Sequence, residues 1–130
     1  MIKIILNKAD FEYDIYSLTQ AFFQGEEIYL LYDIPEDEKG DLPYQVKRRT
    51  ELENRDRKAR LTLLVSFTKN EESILLSLLD NEEKLIEKEL VIPADPEDRQ
   101  EIKNALKKSL YGIFSRFTGK NLPWGTLTGI

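Results

Sequence analysis

Five stretches of the chain alternate apolar and polar residues with the period of a β-strand. The longest regular alternation runs from Leu61 to Phe67, and we expect that strand to be central in the sheet. Similar turn sequences, Asn70-Glu71-Glu72 and Asn81-Glu82-Glu83, stand eleven residues apart and predict a meander of three neighbouring strands. The predicted strands are Ile2–Leu6, Ile28–Tyr32, Leu61–Phe67, Ile74–Leu79 and Leu85–Ile92.

Two further stretches repeat apolar residues with helical spacing. We expect Asp10 to be the N-cap of the first helix and Gly25 to follow its end as C′. For the second helix, Asp95 is the predicted N-cap, Pro96 is N1 and Gly119 is the stop signal. The first helix should bury Phe11, Ile15, Leu18 and Phe22, and the second Ile102, Leu106, Leu110, Ile113, Phe114 and Phe117.

The resulting order β-α-β-β-β-β-α predicts an α+β fold. We expect one domain over residues 1–119, with an antiparallel or mixed sheet of four to five strands and both helices on one face. The side chains at the contact between the central strand and the second helix should be mutually buried: Leu63, Val65, Leu106, Leu110 and Phe114. The aromatic residues of the first helix are interpreted as core rather than as a ligand platform: Tyr13, Tyr16, Phe22 and Phe23.

Composition excludes several kinds of chemistry. The 130 residues contain no cysteine and no histidine, so thiolate nucleophiles, zinc–thiolate sites, iron–sulfur ligation and imidazole bases are all ruled out within this sequence. No apolar run approaches the roughly 18 residues of a membrane span, and we expect a cytoplasmic protein. We assign no catalytic, cofactor-binding or metal-binding residue.

The basic stretch Lys47–Arg60 is a candidate for binding nucleic acid. Its seven positive charges share the segment with three acids, and an acidic loop precedes it. The net charge of the chain, −5, also opposes attraction to phosphates. A solvated segment is therefore the favoured interpretation, and a nucleic-acid-binding adaptor is an alternative. The acidic loop does not fit a calcium-binding loop, because Gly40 at position 6 would put Pro35 at position 1.

The sequence from Lys120 onward is apolar and glycine-rich, which suggests a segment that needs a surface to pack on. Its candidates for interdomain packing are Leu122, Pro123, Trp124, Leu127 and Ile130. Within residues 108–130, the predicted helix ends in Thr-Gly-Lys. The run Leu-Pro-Trp-Gly-x-Leu-Thr-Gly-Ile comes after it. That run resembles the segment before the radical-SAM domain in HemZ-type oxygen-independent coproporphyrinogen III oxidases, also called coproporphyrinogen dehydrogenases.

The resemblance implies an oxidoreductase of haem and porphyrin biosynthesis, which oxidatively decarboxylates two propionates of coproporphyrinogen III. The family uses S-adenosylmethionine and a [4Fe–4S] cluster held by a Cys-x3-Cys-x2-Cys run, and this sequence has no cysteine. We therefore expect a fragment: a non-catalytic N-terminal accessory domain without cofactors of its own, with residues 120–130 starting the linker into a missing catalytic domain.

The partner implied by the resemblance is the chain's own C-terminal radical-SAM domain, with no nucleic acid and no membrane. An exposed apolar tail would also promote self-association. One alternative stays open for the C-terminal tail and one for the function of the whole chain. The tail could fold back over its own sheet and bury Trp124, and the chain could be a free-standing protein-interaction module.

Overall fold

The computed structural model describes residues 1–8, 10–33, 59–68 and 73–122. Five strands and two helices follow one another in the predicted order. In chain order they are β1 (Ile2–Leu6), α1 (Glu12–Phe22), β2 (Ile28–Tyr32), β3 (Leu61–Phe67), β4 (Ile74–Leu79), β5 (Leu85–Val91) and α2 (Arg99–Thr118).

The strands form one mixed sheet in the order β2-β1-β3-β4-β5. Strand β1 lies between β2 and β3 and is parallel to both. The second half of the sheet is the predicted meander, in which β3, β4 and β5 pair antiparallel with their neighbours. The α+β class and the mixed sheet are confirmed, and β3 is the central strand, as its regular alternation predicts.

Both helices cover the same face of the sheet and contact each other there. Helix α1 packs against β2, and α2 packs against β4 and β5. The helix-facing side chains of β1 and β3 are almost completely buried between these layers. One continuous core results, and it contains all five side chains predicted for the contact between the central strand and the second helix: Leu63, Val65, Leu106, Leu110 and Phe114.

The predicted start and end of the first helix are each wrong by one residue. Phe11, not Asp10, is the N-cap of α1, and it adopts a left-handed conformation with φ of 56°. Its ring is buried against Phe67, with 6.4 Å between the ring centroids, so a tertiary contact decides where the helix begins. At the other end, Phe23 is the C-cap and Gly25 lies two residues beyond it. Phe23 leaves helical geometry with its ring 5.2 Å from that of Phe114.

The N-cap predicted for the second helix is also wrong. Asp98 is the N-cap of α2, and its carboxylate accepts hydrogen bonds from the backbone N–H groups of Gln100 and Glu101, at 3.0 and 3.4 Å. Asp95 instead accepts from the N–H of Glu97 at 3.0 Å and forms a turn before the helix. Both aspartates offer the same local chemistry, so the sequence does not discriminate between them. Gly119 ends the helix as predicted, with φ of 73°.

One aromatic residue of α1 is not part of the core. Tyr13 is 79% exposed, whereas Phe22 and Phe23 are buried and Tyr16 packs against the core. Tyr13 lies about 200° around the helix from Phe11 at the usual 3.6 residues per turn, on the face opposite the apolar stripe, so its side chain projects into solvent.

Replacing Leu110 by alanine should lower the free energy of unfolding by roughly 2–5 kcal/mol, because a fully buried leucine leaves a cavity when it is truncated. Leu110 is 0% exposed. Urea or guanidinium unfolding of both proteins measures the change, and Tyr13→Ala on the exposed face is the control, with a change within about 0.5 kcal/mol. A loss at Leu110 as small as that of the control would contradict the core described above.

Candidate functional site

Only one of the five candidates for interdomain packing lies among the described residues. Leu122 is half-buried and packs against the core. Its carbonyl oxygen accepts a hydrogen bond from the hydroxyl of Tyr111 at 2.6 Å. Pro123, Trp124, Leu127 and Ile130 lie outside the described residues, so their predicted role stays a prediction.

The chain is attached to both helices where it leaves α2. The hydroxyl of Ser115 donates to the carbonyl oxygen of Lys120 at 2.8 Å. The ammonium group of Lys120 donates to the carbonyl oxygen of Phe22, the last residue of α1, at 3.4 Å. Together with the bond between Tyr111 and Leu122, these contacts fix the direction in which the chain leaves the body of the domain.

A small crevice opens at the carboxyl ends of β1 and β3. In open sheets with parallel strands, ligands often bind at such an edge. The crevice has a volume of about 120 Å³ and is lined mainly by Lys8, Asp10, Phe11, Phe67, Ile74, Arg99 and Ile102. This volume is a little below the roughly 150 Å³ of an engineered cavity that binds benzene, so the crevice would hold a small molecule at most.

The charges around the crevice neutralise one another. The guanidinium of Arg99 donates two hydrogen bonds to the carboxylate of Asp10, at 2.5 and 3.2 Å. It also lies 4.4 Å from the ring centroid of Phe11. The hydrogen bond to Asp10 is the main reason that the pKa of Arg99 is raised above its usual value. These contacts clamp the start of α2 onto the connection between β1 and α1, which is a structural role.

The face of the sheet opposite the helices carries a more distinctive feature on the edge strand β5. Leu90 lies directly opposite Leu75 and Lys88 lies opposite Ser77. These residues alternate with Val91 and Glu89, which are on the helix side. Four large apolar residues of this region are exposed, by 56% for Leu85, 38% for Ile86, 54% for Leu90 and 70% for Ile92. We call these four residues the outer strip.

A break in register adds to the outer strip. Leu78 pairs with Glu87 but Leu79 pairs with Leu85, so Ile86 is an extra residue on the β5 side. Such a bulge turns neighbouring side chains toward one face. These four residues are not among those predicted from the sequence to form a surface. The available signal was that apolar residues in 85–92 occupy both odd and even positions, more than one buried face requires.

The helix side of β5 is charged and internally paired. The guanidinium of Arg116 on α2 lies 3.5 Å from the carboxylate of Glu87 and 3.4 Å from that of Glu89. The last turns of α2 are therefore held against β5. Beyond the end of α2 the chain turns toward α1, because the ammonium group of Lys120 is bonded to the carbonyl oxygen of Phe22.

A second cleft lies on the outer face, beside the turn that joins β4 to β5. It has a volume of about 420 Å³, and its lining includes Lys3, Ile5, Leu31 and residues 80–83. Asp80 uses its carboxylate to accept from the backbone N–H groups of Glu82 and Lys84, at 2.8 and 2.9 Å. These bonds lower the pKa of Asp80. They also stabilise the turn, so Asp80 has a structural role.

The basic stretch is described only at its end. Arg60 donates to the carboxylate of Glu26 at 2.6 and 3.0 Å and lies 5.8 Å from the ring centroid of Phe23. The hydrogen bond from Arg60 lowers the pKa of Glu26 below its ordinary value. Residues 47–58 lie outside the described residues. Whether the stretch is a solvated segment or a nucleic-acid-binding patch therefore stays untested.

Two features, a metal-binding cluster and a membrane-spanning helix, are absent from the described ranges. Across residues 1–8, 10–33, 59–68 and 73–122, no group of three or more acidic, histidine or cysteine side chains could hold a metal ion. In the same part of the chain, neither helix has the length and apolar character needed to cross a membrane.

Comparison with protein-family models, with curated proteins and with solved structures found no match.

Replacing Glu26 by glutamine should lower the free energy of unfolding at pH 7 by less than about 1 kcal/mol, because the pair with Arg60 is largely solvent-exposed. The pKa of Glu26 is lowered in the folded state. The contribution of ionised Glu26 to the free energy of unfolding is therefore present above the unfolded-state pKa. It disappears as the pH falls through the folded-state pKa. Urea unfolding at pH 7 and at about pH 3, below the usual glutamate pKa, should show the difference vanish in acid.

The control for that experiment is Glu97→Gln, which alters a carboxylate with no ion pair among the described residues. A Glu26→Gln effect that persists or grows in acid would contradict the assigned role of the carboxylate.

We expect the chain not to bind generic single- or double-stranded nucleic acid more tightly than about 10⁻⁴ M at physiological salt. The acids of the basic stretch and the bond from Arg60 to Glu26 neutralise much of its charge. An anisotropy titration measures the affinity, and reversal of Arg48, Arg49, Arg57 and Arg60 to glutamate is the comparison. Micromolar binding with a steep salt dependence that the reversal abolishes would favour the nucleic-acid adaptor.

Proposed function

We propose that this chain is a non-catalytic N-terminal accessory domain of a radical-SAM enzyme of haem biosynthesis, similar to oxygen-independent coproporphyrinogen III oxidases. The observation that carries the proposal is the run from Thr118 to Ile130, Thr-Gly-Lys-Asn-Leu-Pro-Trp-Gly-Thr-Leu-Thr-Gly-Ile. In the family it resembles, this run lies directly before the catalytic domain. Residues 120–130 would then be the start of the connection between the two domains.

The geometry at the end of α2 supports this role. The resembling run starts while the chain is still bonded to α1 and α2, through Lys120 and Leu122. A connection that begins in such fixed contacts restricts how a following domain is oriented. The accessory domain would therefore fix the point from which the connection to the catalytic domain starts.

The proposal divides the chemistry between two parts of one polypeptide. The following domain would supply the cysteines that hold the [4Fe–4S] cluster and the site for S-adenosylmethionine, since this chain contains no cysteine. The residues of this chain would contribute a packing surface. The parent enzyme would be a cytoplasmic oxidoreductase that decarboxylates the propionates of coproporphyrinogen III.

A second candidate is a free-standing protein-interaction module. The outer strip favours it, because exposed apolar patches on soluble domains often mark interaction surfaces. The two candidates differ in whether the partner surface belongs to the same polypeptide.

The reading frame beyond codon 130 tests the proposal directly. We expect it to continue with Arg-Pro-Thr-Lys and then to encode a Cys-x3-Cys-x2-Cys run. After anaerobic reconstitution with iron and sulfide, the complete polypeptide should show [4Fe–4S] absorbance and cleave S-adenosylmethionine. Residues 1–130 alone, treated identically, serve as the control and should do neither. A stop codon after Ile130, a continuation without that motif, or a stoichiometric cluster on residues 1–130 would overturn the proposal.

A further inference from the structure

We propose that the connection between β2 and β3, residues 34–58, packs on the outer face of β2, β1 and β3, opposite the helices. This contact is internal to the chain and is independent of the proposed function. Four features support it: burial on this part of the outer face, the strand order, the positions at which the connection starts and ends, and its composition.

Two buried residues on the outer face lie outside the apolar core. Leu31 of the edge strand β2 is opposite Ile5 and is only 5% exposed, and Ala59, which lines the same cleft, is also buried. Neither residue belongs to the core between the sheet and the helices. By contrast, Leu90, on the outer face of the other edge strand, is 54% exposed. A bare edge strand would expose Leu31 to a similar extent, so another part of the chain must cover it.

The cover of Leu31 belongs to the same chain and comes from outside the described residues. Only one chain is present, so the burial of Leu31 is not due to a second copy. Both helices lie on the opposite face of the sheet. The turn at residues 80–83 borders the cleft that Leu31 lines, and that cleft separates the turn from β2.

The strand order places the connection on the outer face. Strand β1 lies between β2 and β3 and is parallel to both, so the chain crosses the sheet in opposite directions from β1 to β2 and from β2 to β3. Connections between parallel strands are right-handed in nearly all proteins. Two crossovers of the same hand that run in opposite directions lie on opposite faces of the sheet. Since α1 forms the first crossover on the helix face, the second one belongs on the outer face.

The connection starts and ends at opposite ends of β1. The backbone N–H of Asp33 donates to the carbonyl oxygen of Leu6 at 2.8 Å, and the N–H of Arg60 donates to that of Met1 at 2.9 Å. The chain between them must therefore return along the length of β1, about 17 Å at the usual rise per residue. Residues 34–58 exceed the dozen or so residues that a parallel crossover needs.

The composition of the connection suits this face. Arg57 and Lys58 directly precede Ala59, which lines the cleft together with the acidic turn at residues 80–83. The basic end of the connection therefore enters the cleft beside carboxylates, and opposite charges attract there. The connection also supplies apolar side chains to cover Leu31: Ile34, Leu42, Tyr44, Val46 and Leu52.

Cross-linking of paired cysteines tests where the connection lies, and the absence of native cysteine makes each pair unique. Leu52→Cys is combined either with Lys3→Cys on the outer face of β1 or with Lys103→Cys on α2. We expect a short bismaleimide to join the first pair within one chain at least tenfold faster than the second. Equal or faster linking of the second pair would overturn the inference. A link formed only between chains would assign the face to a second copy and would also overturn it.

The rate of thiol modification tests what covers Leu31. In the intact chain, Leu31→Cys should react with a maleimide at least tenfold more slowly than Leu90→Cys, its counterpart on the exposed edge strand. Replacement of residues 36–57 by glycine and serine at equal length should remove this difference. Leu63→Cys in the core should stay protected after the replacement, which shows that the sheet is still folded. Continued protection of Leu31→Cys in that folded chain would contradict the inference, and if the replacement unfolds the sheet, the cross-link decides.

Discussion

Burial of one apolar stripe of α2 is the interaction on which the rest of the structure depends. Leu106, Leu110 and Ile113 are fully buried, and Phe114 almost so, and each such side chain contributes roughly 1.5–3 kcal/mol. Helix α2 is 20 residues long, about 30 Å at the usual rise, so its packing fixes structure at both of its ends. At its start, Arg99 is bonded to Asp10 beside α1, and at its end Lys120 is bonded to α1.

The same packing leaves the sheet with two unlike faces. The helices cover one face, and α2 lies over β4 and β5 with Arg116 paired to the two glutamates of the edge strand. Among the described residues no helix covers the opposite face of β5, and that face presents apolar residues around one lysine. This asymmetry is the physical reason for assigning structural roles to the crevice at Asp10 and an interaction role to the outer strip. The crevice satisfies its charges internally, whereas the outer strip leaves apolar surface and a charge in contact with solvent.

The elements of this fold follow from local pattern, and their arrangement does not. Alternation over Leu61–Phe67 and helical spacing over Ile102–Phe117 depend on which residues face one core, and that information is local. Strand β1 pairs parallel with both β2 and β3. Packing between distant segments sets this pairing, so the alternation within each strand does not predict it. The predicted N-caps of both helices were wrong for a related reason. Asp95 and Asp98 are equivalent as local caps, and Phe11 takes the N-cap position through its contact with Phe67.

The candidate surface was only partly accessible to sequence reasoning. The apolar run ending at Ile130 indicates that the chain needs a packing partner, but the outer strip depends on a bulge at Ile86 and on strand order, which places β5 at the edge. The central proposal is that residues 120–130 connect this domain to a radical-SAM catalytic domain. A crystal structure of the complete polypeptide tests it most directly. We predict that residues 120–130 lead from α2 into a second domain that holds a [4Fe–4S] cluster, and a polypeptide that continues into no such domain would contradict the proposal.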